Sequence, residues 1–348
     1  MAKALKVLFI PVSTAKGIGE YMRSLIIAQA ISRQWPETEV SFILNKSAPY
    51  ASSCPFPHFL LDDTPTKCIP EVKQLISDFA PDVTLFDCSG RASQVRHAKA
   101  CGSKVVFISQ HKKKRNRGFS IGRLPYLDAH WITQFKFVDG DLTWLEKLKL
   151  KLFHAKPPLF IGPVFSPAAP DLPAELKHLA QQDYVLWAAG GGGHSCKGMP
   201  ATEVFYHAAQ ALPDQQLQHV LLTGANYQSE LQASPHVQLI KCLPNDQLIA
   251  LMQRAKLVVS GGGDMMGQAI VLNKNIVAIS VAGDQPTRVA KCLAQKLIYT
   301  APLEPSAIVR QVKQALAHPL QHKYDLTPGL SFVLDYFKAV IAERNSGQ

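Results

Sequence analysis

Tyr184-Val185-Leu186-Trp187-Ala188-Ala189 runs into Gly190-Gly191-Gly192-Gly193-His194-Ser195, and Lys256-Leu257-Val258-Val259-Ser260 runs into Gly261-Gly262-Gly263-Asp264-Met265-Met266. Each is a short apolar run of strand type, closed by glycines and followed by a helical pattern. A strand, a glycine turn and a helix start bring backbone N–H groups and the positive end of a helix dipole to the carboxyl edge of a sheet, where phosphate binds. Two such turns in one half-chain predict a nucleotide site.

The same alternation fills the rest of the chain. Strand-like runs at 7–11, 40–44, 83–87, 105–108 and 131–133 are separated by helical patterns at 20–33, 70–79 and 92–100. Further strand-like runs follow at 185–189, 220–223, 237–240, 257–260 and 276–280. Strands alternating with helices predict parallel βαβ construction, an α/β protein. Five prolines between Pro157 and Pro170 exclude regular helix and mark a connection between domains, with the boundary near Gly162. The expected organisation is a domain over 1–162, a second over 163–329, and a C-terminal helix over 330–348. That helix carries Phe332, Leu334, Tyr336, Phe337, Val340 and Ile341 and is too apolar to be a free tail.

A length of 348 residues suits two domains, and 47% hydrophobic with 18% charged residues excludes wholesale disorder. No run of 18 apolar residues and no signal peptide is apparent, so a cytoplasmic location is expected. The seven cysteines are scattered without a C-x-x-C, and no Cys/His grouping has zinc-ligand spacing. The net charge of +11 is uneven: residues 1–162 hold 23 Lys+Arg against 13 Asp+Glu, the remainder 14 against 13. The N-terminal half is therefore expected to face something anionic.

Lys112-Lys113-Lys114-Arg115-Asn116-Arg117 concentrates that charge. It follows the strand at 105–108, with Phe119 and Ile121 beside it, and reads as a loop at the strand's carboxyl end. Such a loop suits an anionic membrane surface or a phosphate-bearing acceptor; a merely solvated loop is the plain alternative. No recognised nucleic-acid module accompanies it, which disfavours nucleic acid. Gly17-Ile18-Gly19 follows the first strand but lacks the third glycine, and no acidic residue ends the second strand, which argues against NAD. A tight turn without a ligand is its plain reading. Asp139-Gly140-Asp141 spells D-x-D, yet reads better as a loop plus helix cap, and no metal is inferred.

Gly17-Ile18-Gly19-Glu20-x-x-Arg23-Ser24-Leu25-x-x-Ala28 resembles the G-x-G-H-x-x-R-x-L-x-L-A signature of GT-B nucleotide-sugar enzymes. Ser260-Gly261-Gly262-Gly263-Asp264-x-x-Gly267-Gln268-Ala269 is similar to their S-G-G-x-x-x-x-E-A donor motif, and Asp284-Gln285-Pro286-x-Arg288-x-Ala290 to their Q-x-x-N-A element. With the Gly190 turn these make four matches in order, spanning both halves. Within that family the chain looks most like the lipid II-forming N-acetylglucosaminyltransferase and the UDP-sugar hydrolase of pseudaminic acid biosynthesis.

The resemblance implies two Rossmann-like parallel-sheet domains facing across a cleft, with the last helix returning to the first domain. It implies a metal-independent, inverting hexosyl- or N-acetylhexosaminyltransferase of cell-envelope glycan synthesis. The donor is a nucleotide sugar, most simply UDP-linked, used as substrate, and no cofactor is expected. Gly191, Gly192, Gly193, His194, Gly261, Gly262, Gly263, Asp264, Met265, Met266, Gln268, Asp284, Gln285 and Arg288 would hold the donor. Gly17, Gly19, Arg23, Lys112, Lys113, Lys114, Arg115 and Arg117 would face an anionic glycan or lipid-linked acceptor, with peripheral contact at the inner face of the cell membrane.

Two positions depart from the pattern. Glu20 stands where the family has His, and Gln268 where it commonly has Glu. Glu20 at a helix start is either the base that takes the acceptor's proton or a helix-terminal charge. Asp87, ending a strand, is the second candidate base or a cap of the helix that follows. Gln268 retains a carbonyl able to meet a ribose hydroxyl. A UDP-sugar hydrolase or epimerase on the same scaffold, or a non-catalytic binding subunit, remain the alternatives.

Overall fold

The computed structural model describes residues 4–14, 18–196, 198–212, 217–232, 234–321 and 325–346; Gly17 lies outside them. The chain divides into two compact units, Met1–Val164 with Pro328–Gln348, and Phe165–Thr327.

In the first unit, β1 (Lys6–Pro11) is the central strand because Val7, Leu8, Phe9 and Ile10 are all fully buried, as a parallel strand covered on both faces requires. Around it lie α1 (Gly19–Gln34), β2 (Glu39–Asn45), β3 (His58–Leu61), α2 (Ile69–Phe79), β4 (Val83–Asp87), α3 (Ala92–Ala100) and β5 (Lys104–Ser109). There follow α4 (Lys112–Gly118), β6 (Ala129–Ile132), α5 (Lys136–Asp139), α6 (Trp144–Leu152) and β7 (Leu159–Phe160). Among the described residues these strands form one seven-stranded parallel sheet in the order β3-β2-β1-β4-β5-β6-β7.

The second unit contains β8 (Tyr184–Ala188), β9 (Ser195–Cys196), β10 (Met199–Pro200), α7 (Ala201–Gln210), β11 (Gln218–Leu222), β12 (Val237–Ile240), α8 (Asn245–Arg254) and β13 (Leu257–Gly261). It continues through α9 (Asp264–Val271), β14 (Ile276–Ile279), α10 (Pro286–Ala294), β15 (Tyr299–Thr300) and α11 (Pro305–Ala317). Its described strands build a six-stranded parallel sheet, β12-β11-β8-β13-β14-β15, and an antiparallel β9-β10 ribbon.

The last helix, α12 (Gly329–Ser346), belongs to the first unit. Leu330, Val333, Phe337 and Val340 join the core that holds Ile26, Ile27 and Ile31 of α1. Lys104 with Glu343, at 2.5 Å, and Arg344 with Asp82, at 3.2 Å, tie its far end down. Its glycine start is steric: a Cβ on Gly329 would sit 2.9 Å from the carbonyl oxygens of Ile161 and Gly162. No helix among the described residues is long and apolar enough to cross a membrane.

The basic run at 112–117 is a helix, not the expected loop, and Arg115 turns inward. Its guanidinium is fully buried, donating to Asp139 Oδ2 at 2.6 Å, to both Glu146 carboxylate oxygens at 3.2 and 3.3 Å, and to the Gly140 carbonyl at 2.9 Å. Asp139 is therefore the partner of Arg115, not part of an exposed D-x-D. The helix cap that follows is Thr143, whose Oγ1 accepts from the Glu146 N–H. Breaking a buried ion cluster from one side leaves charge uncompensated. Arg115→Met is expected to cost about 3–5 kcal/mol in denaturant unfolding, whereas exposed Arg117→Met changes stability by less than about 0.5 kcal/mol.

Candidate nucleotide-binding site

In each sheet the strand order reverses beside one central strand, and the carboxyl edge at that switch point is where open α/β sheets bind ligands. In the second unit the reversal falls between β8 and β13. Ser260 is paired with Ala188, so the two glycine turns leave the sheet side by side. They approach so closely that a Cβ on Gly261 would lie 2.6 Å from the Ala189 carbonyl oxygen.

The Gly190 turn does not enter a helix directly, as its sequence suggests; the β9-β10 ribbon intervenes and α7 starts at Ala201. Its neighbour is the loop after β11. The Asn226 N–H donates to the Gly191 carbonyl at 2.9 Å, and a Cβ on Gly224 would be 2.4 Å from Gly191 C. Gly192 adopts φ +86°, with Tyr227 N and Thr223 O in the space a side chain would take. Gly191, Gly193 and His194 are exposed at the tip. Sequence reading passed over Gly224 and Asn226; the signal was a lone glycine directly after a strand.

The Gly261 turn does lead into α9. Gly262 does not offer a bare N–H, however, because it donates to the Ile279 carbonyl at 2.8 Å and to Gln285 Oε1 at 3.1 Å. Gln285 Oε1 also accepts from the Val281 N–H at 2.9 Å. Arg288, buried on α10, donates to the Gly262 carbonyl at 3.4 Å and pairs with exposed Asp284 at 3.4 Å. Gln285 and Arg288 thus clamp the turn onto α10. Gly263 and Asp264 remain at the accessible start of α9, Met265 is half-buried, and Met266 is core. Gln268 is buried one turn further on, and its Oε1 has no hydrogen-bond partner. A buried, unpaired carbonyl is costly unless a ligand meets it.

In the first unit the reversal falls between β1 and β4, where Pro11 is paired with Asp87. Asp87 is fully buried. Arg23 Nε and Nη2 donate to its two oxygens at 2.9 and 2.6 Å, and Ser24 Oγ donates at 3.4 Å. Burial pushes its carboxyl up to about 6, against the pull of Arg23 and with a further push from the Glu20 charge. Asp87 therefore anchors α1 instead of capping the helix beyond it. The chain then turns sharply, with Cys88 at φ +54°.

Gly19 opens α1, exposed, and Glu20 follows in the first turn, half-buried and 4.0 Å from Lys114 Nζ. Tyr50 stacks on Tyr21 at 4.1 Å and donates to Ser13 Oγ at 3.1 Å. Lys112, Lys113 and Arg117 are exposed on α4. No group of three or more metal-ligating side chains occurs among the described residues.

No protein-family model and no curated protein matches the chain. Solved structures do. Calicheamicin glycosyltransferase CalG4 superposes with TM-score 0.65 at 14% identity, covering 98% of this chain and 99% of that one. A UDP-N-acetylglucosamine 2-epimerase homologue from Listeria monocytogenes gives TM-score 0.59 at 13% identity, covering 99% and 98%. S. aureus MnaA, solved with UDP, gives 0.59 at 12% identity, covering 98% and 97%. At these identities the likeness is one of fold, and the chain has the GT-B fold.

The two glycines of the second turn should separate in mutagenesis. Gly261→Ala, forced against the Ala189 carbonyl, is expected to lower stability by about 1–3 kcal/mol. Gly263→Ala, whose nearest neighbour is 3.7 Å away, should stay within about 1 kcal/mol of the parent in the same unfolding assay.

Proposed function

We propose that the protein is a glycosyltransferase that takes a sugar from a UDP-linked donor held by the second unit and passes it to an anionic acceptor held by the basic first unit. The observation that carries this reading is Gln268. Its unpaired, buried carbonyl lies one helical turn beyond the accessible start of α9. The N-terminal end of that helix and the neighbouring Gly191–Gly193 turn would neutralise a diphosphate leaving group, with no metal needed. Gln268 would take a ribose hydroxyl. The fold likeness to MnaA, solved with UDP, supports the choice of ligand, and that to CalG4 the choice of reaction.

The acceptor chemistry is assigned to Glu20. Both Asp87 oxygens are taken by Arg23, so Asp87 is a positioning residue, whereas Glu20 stands at the open first turn of the same helix. A carboxylate there can remove the hydroxyl proton as the acceptor attacks the anomeric carbon from the side opposite the leaving diphosphate, with inversion.

Calorimetric titration with UDP, GDP, CDP, ADP and their sugar conjugates tests the donor site. UDP or a UDP-sugar should bind; Gly263→Asp should abolish binding, and Gln268→Leu should weaken it about tenfold without lowering the melting temperature of the free protein. Binding by none of these nucleotides would leave a GT-B scaffold used for another purpose.

A second reading is epimerisation or hydrolysis of the UDP-sugar, the former resting on the fold likeness to the epimerase homologue. Incubating the protein with UDP-sugar alone separates the two. A C2 epimer or free sugar formed without acceptor supports the second reading, and an unchanged donor excludes it.

A further inference from the structure

α6 is built the wrong way round for a helix on a protein surface. At 100° per residue, Trp144, Leu145, Leu148 and Leu152 fall within an arc of about 100°, the width of a normal core-facing stripe. Yet these four side chains are 71%, 50%, 51% and 67% exposed. The residue α6 buries is a carboxylate, Glu146, on the opposite side of the helix. Glu146 is held by Arg115 of α4 and by the Thr143 N–H at 2.7 Å. The ion pair thus fixes the orientation of α6 and leaves its apolar stripe in water.

The rim of the stripe is basic. Lys147 and Lys151 flank it on one side, and Lys149, which donates to the Phe119 carbonyl at 3.2 Å, on the other. α4, joined to α6 through Arg115, adds exposed Lys112, Lys113 and Arg117. The only carboxylate of α6 is the one consumed inside.

We propose that the outward face of α6 docks on an anionic lipid bilayer, with Trp144 and the leucines entering the interface and the lysines meeting lipid phosphates. A short amphipathic helix with Trp and Leu on one face and Lys at its edges has the chemistry of an interfacial segment. Each lysine near an anionic surface adds to the attraction. A second copy of this chain is the poorer occupant, since two such faces would bring like charges together. This inference does not depend on the donor site.

Co-sedimentation of the full chain with phosphatidylcholine vesicles, with and without phosphatidylglycerol, tests it. Emission offers a probe weighted to α6, because of the four tryptophans Trp144 is exposed, Trp35 half-buried, and Trp131 and Trp187 buried. The expected result is partition into the anionic vesicles with a blue shift, reduced by salt. The double variant Leu145→Gln with Leu148→Gln should keep its melting temperature and lose at least about tenfold in partition. No partition, partition unchanged in the double variant, or self-association that the double variant abolishes would each overturn the proposal.

Discussion

The second unit depends on the close approach of two backbones. Gly261 and the Ala189 carbonyl stand too near for any side chain. That contact follows from β8 and β13 being hydrogen-bonded neighbours at the point where the sheet order reverses. Glycine there removes the Cβ, and the two turns can then share one edge. Gln285 and Arg288 hold the second turn from behind, through the N–H and carbonyl of Gly262. What remains for a ligand is the accessible start of α9 and the unpaired carbonyl of Gln268.

The first unit solves the matching problem with charge. Arg23 and Asp87 form a buried, two-point pair across the β1/β4 edge, fixing the start of α1 and with it Glu20. Arg115, Asp139 and Glu146 do the same for α4 and α6. Buried ion pairs give little net stability over apolar packing, but they fix geometry. Here the geometry is the placing of a carboxylate at an open helix start and of an apolar stripe toward solvent.

Much of this was legible in the chain. The central strands are apolar runs, since strands covered on both faces need no polar alternation. The glycine turns stood out for the same reason. Edge strands β7 and β15, two residues each, are too short to leave a pattern. Six consecutive polar residues at 112–117 carry no apolar period, so α4 was invisible, and the burial of Arg115 depends on partners 24 and 31 positions away. The clamp of Gln285 on Gly262 was hidden likewise: a motif shows which residues gather, not which of them face the ligand and which face one another.

The central claim is that UDP occupies the β8/β13 edge. Amide hydrogen exchange of the whole chain, with and without UDP, tests it most directly. The account predicts slowed exchange in peptides covering 190–194 and 261–268, with the first unit unchanged. Slowing confined to the first unit, or none at saturating UDP, would contradict it.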